Sequence, residues 1–200
     1  EGTVTLVSMG PAGNMQGIRQ ALAMGADKAI VVDDSSLRGS DALTTARIIA
    51  KAIENEGFDL VIARTESTDA YSGVVPQMIA GLLDVPALTY ATNVDLTSDS
   101  VSIHRQTDLG YDVVNASLPA LLTVTAGVVE PRYPTFKGIM EAKKKPVETH
   151  DISGLGLDPT IEQTVAGITA APERAAGEKI EDEGEAHLRI VEKLEEAKVI

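Results

Sequence analysis

Short, continuous apolar runs recur along the first part of the chain. They lie at residues 4–7, 29–32 and 60–63, and a polar or glycine-containing segment follows each one. Apolar runs without polar alternation are typical of strands that are covered on both faces of a parallel sheet. The pattern therefore predicts three buried, parallel β-strands.

Helical periodicity fills the intervals between these runs. Apolar residues recur every three or four positions across 15–22 and 43–53, and a further helix is predicted to end at Leu83. Gly25 is placed to terminate the first helix, and Ser40 to cap the N-terminus of the second. Because strand and helix alternate, the predicted fold class is α/β, with a doubly wound, mostly parallel, Rossmann-like sheet.

The period changes after Pro86, where the sequence begins to favour β-strands that follow one another directly. A tight turn at 108–110 joins two of these strands and predicts a β-hairpin extension of the sheet. The predicted strands span 87–96, 100–107, 111–117 and 121–125, and a short helix spans 135–143.

Weak periodicity marks residues 144–180, so a long irregular arm is predicted there. Helical spacing returns with Leu188, Val191 and Leu194. We therefore divide the chain into an α/β nucleotide-binding domain at 1–145 and a C-terminal arm with a helix at 146–200, which is expected to pack on a partner subunit. The chain opens directly on a strand-like run without an initiator Met, and we expect an N-terminal strand of this domain to be missing.

Acidic residues outnumber basic ones, 30 against 17, and give a net charge of −13. Such a surface repels nucleic-acid phosphate and anionic lipid, and no apolar run approaches the ~20 residues that span a bilayer. The absence of cysteine excludes disulfides, thiolate metal sites and thiol catalysis. The composition predicts a cytoplasmic protein that neither binds nucleic acid nor inserts into a membrane.

The polar loop at 64–73 leaves a predicted central strand and opens a helix. Backbone N–H groups at a helix N-terminus lack partners and carry partial positive charge, so a phosphate is stabilised there. Hydroxyl side chains add donors, and Gly73 lets a ligand approach the backbone closely. Met9 ends the first strand at the same edge of the predicted sheet. The residues alone leave open the simpler alternative, an ordinary capped loop with Met9 as a packing residue.

No catalytic or metal-binding set is predicted. His104, His150 and His187 lie on different elements, and no nucleophile lies beside a base. The three lysines at 143–145 predict either contact with an acidic partner or capping of a helix C-terminus.

Several segments together resemble the β subunit of electron-transfer flavoproteins. They follow the family's order and run nearly from end to end of the chain. The matching segments are 10–11, 18–27, 66–69, 118–123, 130–134 and 139–148.

The resemblance implies an electron carrier that performs no bond chemistry of its own. It implies a heterodimer with an α subunit that holds most of the FAD, and a β subunit that binds AMP or, in electron-bifurcating members, a second FAD. Flavin dehydrogenases are implied as electron donors, and a quinone-linked or other carrier as acceptor. Phe136 is implied as the docking anchor for the donor. The implied nucleotide-binding residues are Met9, Thr65, Glu66, Ser67, Thr68, Asp69, Ala70, Tyr71, Ser72, Gly73 and Val74.

Two other functions stay open. A stand-alone adenine-nucleotide-binding module of the same α/β superfamily would be a monomer without a flavin partner. An enzyme that acts on adenylated substrates would need Glu66 or Asp69 as a base or a nucleophile.

Overall fold

The computed structural model describes residues 2–10, 13, 15–68, 70–158, 161–163, 165–174, 176–182 and 184–200. It falls into two compact units, Glu1–Val165 and Ala166–Ile200. In the described part of the chain, the first unit holds eight strands and four α-helices, and the second holds one α-helix.

Every strand and helix that the sequence predicts is present, with bounds that shift by a few residues. The strands are β1 Thr5–Met9, β2 Lys28–Val32, β3 Leu60–Arg64, β4 Ala87–Leu96, β5 Ser100–Thr107, β6 Gly110–Ser117, β7 Ala120–Val124 and β8 Val147–His150. The helices are α1 Gln16–Ala23, α2 Ala42–Glu56, α3 Val75–Leu82, α4 Phe136–Ala142 and α5 Ala186–Glu196.

A parallel three-stranded sheet contains β1, β2 and β8, with β2 in the middle. Four of the five β2 residues are buried, because the strand has a neighbour on each side and packs through Ile30 and Val32 against α2. The prediction of a buried parallel strand is confirmed at 29–32, whereas it is wrong for burial at β1, which is half-buried, and at β3, which exposes Ile62.

The prediction of an irregular arm from residue 144 is wrong at its start. Residues 147–150 form β8, and a 3₁₀ helix, Ser153–Leu155, follows and buries Leu155 against the cluster that includes Ile30 and Ile48. Strand β8 is short and mostly polar, and it is held by backbone pairing with β2 rather than by a long apolar run. Its sequence therefore carries little strand signal.

The second sheet has the order β3-β7-β4-β5-β6. Strands β3, β7 and β4 run parallel, whereas β5 and β6 continue the sheet antiparallel. Thr107 pairs with Gly110 across the predicted turn. The fold is thus α/β with a β-hairpin extension, as predicted.

Helix α2 packs against both sheets. Its residues Ile48 and Ala52 contact the cluster beneath β2, and Ala46 contacts the cluster that includes Leu121 of β7. Val7 of β1 packs against both clusters. In the described part of the chain β1 pairs only with β2, and β3 pairs only with β7, so each sheet has an open edge.

Asp41, and not Ser40, caps the N-terminus of α2. The Asp41 carboxylate accepts hydrogen bonds from the Thr44 N–H at 2.8 Å, the Thr44 hydroxyl at 3.0 Å and the Glu162 N–H at 3.1 Å. The Thr44 N–H is the largest cause that lowers the pKa of Asp41 to about 2. The Ser40 hydroxyl instead lies 3.2 Å from that of Thr45.

Cations cap the C-termini of α1 and α4 reciprocally. The Arg19 guanidinium on α1 donates to the carbonyls of Ala142, at 2.7 Å, and Lys145, at 3.2 Å. The Lys145 ammonium, just beyond α4, donates to the carbonyls of Leu22, at 3.0 Å, and Ala26, at 2.6 Å. Both cations therefore satisfy carbonyls that a helix end leaves without partners. Of the two predictions for residues 143–145, capping holds for Lys145, although it caps α1 rather than its own helix.

The second unit contains α5, whose predicted apolar stripe of Leu188, Val191 and Leu194 is exposed. Glu178 accepts ion pairs from Arg189, at 3.3 Å, and Lys193, at 2.8 Å. Among the described residues, no helix combines the length and apolar character that a bilayer crossing requires.

Candidate functional site

A cavity of about 630 Å³ opens beside the carboxyl ends of β3 and β7. Four segments that are distant in the sequence line it: the loop after β3, the middle of β4, the turn between β5 and β6, and the residues that follow β7. Its described lining residues are Arg64, Thr65, Glu66, Thr68, Tyr71, Tyr90, Gln106, Thr107, Asp108, Val124, Thr125 and Ala126.

The loop after β3 is tied to the sheet at its start and turns sharply near its end. The Thr65 hydroxyl donates to the Val124 carbonyl at 3.2 Å, and the Tyr71 N–H donates to the Ser67 carbonyl at 3.2 Å. Gly73 has a φ of +64°, a conformation that strains residues with a Cβ. These contacts hold Thr65, Glu66, Thr68 and Tyr71 along one wall of the cavity.

Helix α3 begins at the far end of this loop. Its N-cap residue, Val74, has no side-chain acceptor for the first N–H groups of the helix, and Pro76 lies in the first turn. Ser, Thr or Asp commonly provides such a cap, but Val74 cannot.

The structure separates the predicted nucleotide residues into three groups. Thr65, Glu66, Thr68 and Tyr71 line the cavity; Ser67, Ala70, Ser72, Gly73 and Val74 belong to the same loop without being among the lining residues. Met9 is half-buried and packs against the cluster that includes Ile30 and Val32. Asp69 lies outside the described residues.

Sequence analysis missed the other walls of the cavity. Tyr90 lies within β4, and Gln106, Thr107 and Asp108 lie at the hairpin turn. The turn itself was predictable from 108–110, but its position over the strand ends depends on how β4, β5 and β6 pair. The His104 and Tyr111 rings of this hairpin stack with their centroids 4.2 Å apart and their planes 8° apart.

Three charged side chains line the cavity: Arg64, Glu66 and Asp108. Within the described part of the chain, none of these side chains forms a hydrogen bond or an ion pair with another described residue. The site thus offers an uncommitted guanidinium, two carboxylates and several hydroxyls. No three His, Asp or Glu side chains come together as a metal site among the residues that the structure describes.

A second surface lies around α4. Phe136, the first residue of α4, is 82% exposed, and Tyr133, Ile139 and Met140 are exposed beside it. We call these four residues the α4 surface. Thr135 caps α4, since its hydroxyl accepts from the Gly138 N–H at 3.0 Å. Phe136 therefore lies in the first turn of a capped helix, and its side chain is not part of the core.

Fold and cavity together define an α/β protein with a polar cavity at the carboxyl ends of parallel strands. The sequence matches the family described as the electron transfer flavoprotein domain over residues 1–155. This chain belongs to the electron transfer flavoprotein family, and the resemblance that the sequence motifs indicate is confirmed.

The curated relatives carry the same description. The electron transfer flavoprotein subunit beta of Mycobacterium tuberculosis is 41% identical over 207 residues, which cover 100% of this chain and 78% of the relative. That of Mycobacterium leprae is 40% identical over the same coverage. The human protein of that name is 39% identical over 180 residues, which cover 89% of this chain and 71% of the relative.

Proposed function

We propose that this chain is the β subunit of a heterodimeric electron-transfer flavoprotein. It pairs with an α subunit that holds most of the flavin, accepts electrons from flavin dehydrogenases and passes them to a quinone-linked or other acceptor in the cytoplasm. The family match and the names of the relatives support this function. The chain performs no bond chemistry of its own, because a flavin supplies the redox chemistry and the protein positions it.

We also propose that the 630 Å³ cavity binds an adenine nucleotide, either AMP or a second FAD. The observation that carries this proposal is that four predicted loop residues, Thr65, Glu66, Thr68 and Tyr71, line one cavity of a size usual for ligand sites. Asp69 stays a candidate in the same loop.

The residues of the cavity fit the phosphate of such a nucleotide. The Arg64 guanidinium has no described partner, and guanidinium–phosphate pairs are among the stronger hydrogen-bonded contacts. The hydroxyl of Thr68, which lines the same cavity, adds a donor. Arg64 and Thr68 would therefore hold the phosphate.

Co-expression with a candidate α subunit tests the assignment. We expect a yellow heterodimer that carries flavin. A colourless monomer would favour the alternative, a stand-alone nucleotide-binding module.

Phe136 is proposed as the anchor for donor dehydrogenases. Its side chain is almost fully exposed and has apolar neighbours on the α4 surface, which supports docking rather than core packing. A single aromatic anchor often dominates an interface.

The Phe136→Ala variant separates docking from packing. We expect its flavin content and melting temperature to match the wild type, and electron transfer from the donor dehydrogenase to slow. Reduction by a small chemical reductant should remain normal, because that reaction needs no docking. Leu109→Ala, an exposed apolar side chain on the hairpin turn, is the control. A loss of several degrees in the Phe136→Ala melting temperature would show that Phe136 is a packing residue.

The second unit is proposed to pack on the partner subunit. Leu188, Val191 and Leu194 form an apolar stripe of α5 that the described chain leaves exposed, which is typical of an amphipathic helix with a partner.

We propose further that the two sheets belong to one doubly wound, Rossmann-like sheet. The open edges of β1 and β3 support this arrangement, as does Val7, which packs against core clusters on both sides.

A further inference from the structure

Strand β4 is irregular where it passes the cavity. Its register shifts between Leu88 and Ala91 against β7, and between Ala91 and Asn93 against β5. Tyr90 lies inside this stretch with a φ of +60°. A bulky residue with such a φ is uncommon and strained, so the surrounding structure must impose this conformation.

Side chains from the neighbouring strands hold this stretch. Thr123 of β7 is fully buried, and its hydroxyl accepts a 2.9 Å hydrogen bond from the Tyr90 N–H. The N–H and hydroxyl of Thr125 both donate to the Ala91 carbonyl, at 3.0 and 3.1 Å. Thr123 of β7 and Thr125, just after β7, therefore fix the backbone at Tyr90 and Ala91.

Strand β5 fixes the other side. The Arg105 guanidinium donates to the carbonyls of Thr89, at 3.3 Å, and Ala87, at 3.4 Å. Thr125 and Arg105 thus donate hydrogen bonds to the backbone carbonyls of the irregular stretch of β4. Bulges of this kind re-aim a side chain and are frequent beside functional sites.

Four described residues other than glycine have a positive φ: Tyr71, Asp84, Tyr90 and Lys198. Asp84 and Lys198 each follow the C-cap of a helix, where the left-handed conformation is ordinary. The two tyrosines have no such explanation, and both line the same cavity. Tyr71 is 64% exposed and Tyr90 is 42% exposed, so their rings are accessible.

We propose that Tyr90 is a stacking residue of the cavity, and that it and Tyr71 bind the planar heteroaromatic base of the ligand. Aromatic side chains recognise any base through its π-face, whereas the hydroxyls and Arg64 suit the phosphate end. The irregularity in β4 would then orient the Tyr90 ring toward the base in the cavity. This inference rests on the proposed function, because it assigns the base of the nucleotide to one side of the proposed site.

The test compares the binding of two ligands, AMP and ribose 5-phosphate, which lacks the base. The protein is the purified full chain, in complex with its α subunit if the two co-purify. Tyr90→Gly is the informative variant, because glycine adopts a φ of +60° without strain. We expect it to melt at or above the wild-type temperature and to bind AMP about ten-fold more weakly, the size of one base–ring stack. Its affinity for ribose 5-phosphate should be unchanged.

Two further variants complete the set. Tyr90→Phe keeps the ring and should bind AMP like the wild type, and Thr123→Val removes the acceptor for the Tyr90 N–H and should weaken AMP binding. Leu96→Ala, an exposed apolar residue at the far end of β4, is the control.

Each remaining outcome is decisive. Wild-type AMP affinity in Tyr90→Gly overturns the stacking role but leaves the nucleotide site intact. An equal loss of affinity for AMP and for ribose 5-phosphate also overturns it, because the substitution would then weaken binding without regard to the base. A wild-type protein that binds neither AMP nor FAD overturns this inference together with the proposed function.

Discussion

The α1–α4 pair and the cavity both contain cationic side chains, but these side chains have different surroundings. Arg19 and Lys145 donate to helix-end carbonyls, and together these contacts join two elements that are over a hundred residues apart. Arg64 in the cavity has no described partner. The first pair of cations is committed to the fold, whereas Arg64 is available to a ligand. Changes in the first region should therefore alter stability, and changes in the second should alter binding.

The largest effect is expected from Gly138→Ala in α4. An added Cβ would lie 2.5 Å from the Ala23 carbonyl oxygen of α1, so the two helices would have to move apart. We expect the free energy of unfolding to fall by about 2 kcal/mol, the usual cost of overpacking. Urea unfolding measures it.

Gly81→Ala in α3 is the matched control. No atom lies within 4 Å of the added Cβ, so this change should be neutral or raise the free energy of unfolding by about 0.5–1 kcal/mol. Equal effects of the two changes would contradict the close approach of α1 and α4.

Lys145→Met should follow in size. It removes the ammonium that donates to the Leu22 and Ala26 carbonyls, and we expect a loss of about 1–2 kcal/mol in the free energy of unfolding. Lys144→Met removes an exposed lysine of the same run and should change little. Nucleotide content should be unchanged in both variants, and a Lys145→Met protein with normal stability would argue against capping.

Arg64→Ala tests the other region. Because the guanidinium is exposed and has no described partner, the melting temperature should stay near the wild-type value. Affinity for AMP should fall about five- to ten-fold, as expected for the loss of a charged contact with phosphate. Arg38→Ala, an exposed arginine away from the cavity, serves as the control. A fall in stability without a change in AMP affinity would show that Arg64 stabilises the fold, as Arg19 and Lys145 do, and does not bind the nucleotide.

Added KCl should raise the melting temperature and lower the affinity for AMP, and both changes should be smaller than the effects of the substitutions above. A net charge of −13 opposes the compact state, and added KCl screens this self-repulsion, so the melting temperature should rise. The same screening should weaken AMP binding at Arg64. Parallel changes in both quantities with KCl concentration would contradict the distinction.

Sequence patterns predicted the packed part of the fold well because burial leaves a periodic signal. The run at 29–32 became β2, and the turn at 108–110 became the hairpin turn. The cap of α2 was displaced by one residue, from Ser40 to Asp41, because both residue types can cap and only the backbone decides between them.

The cavity was only half predictable. Its wall at Thr65, Glu66, Thr68 and Tyr71 follows one strand and belongs to one motif. The wall at Tyr90 depends on Thr123 and Arg105, which lie on other strands, so nothing in the residues next to Tyr90 indicates its conformation.

Binding of an adenine nucleotide in the cavity beside β3 and β7 is what separates the proposed function from its alternatives. The most direct test is to denature the purified wild-type heterodimer and to identify the released nucleotides by mass. We predict one adenine nucleotide per β subunit, either AMP or FAD, in addition to the flavin of the α subunit. A heterodimer that releases only the flavin of the α subunit would contradict nucleotide binding by this chain.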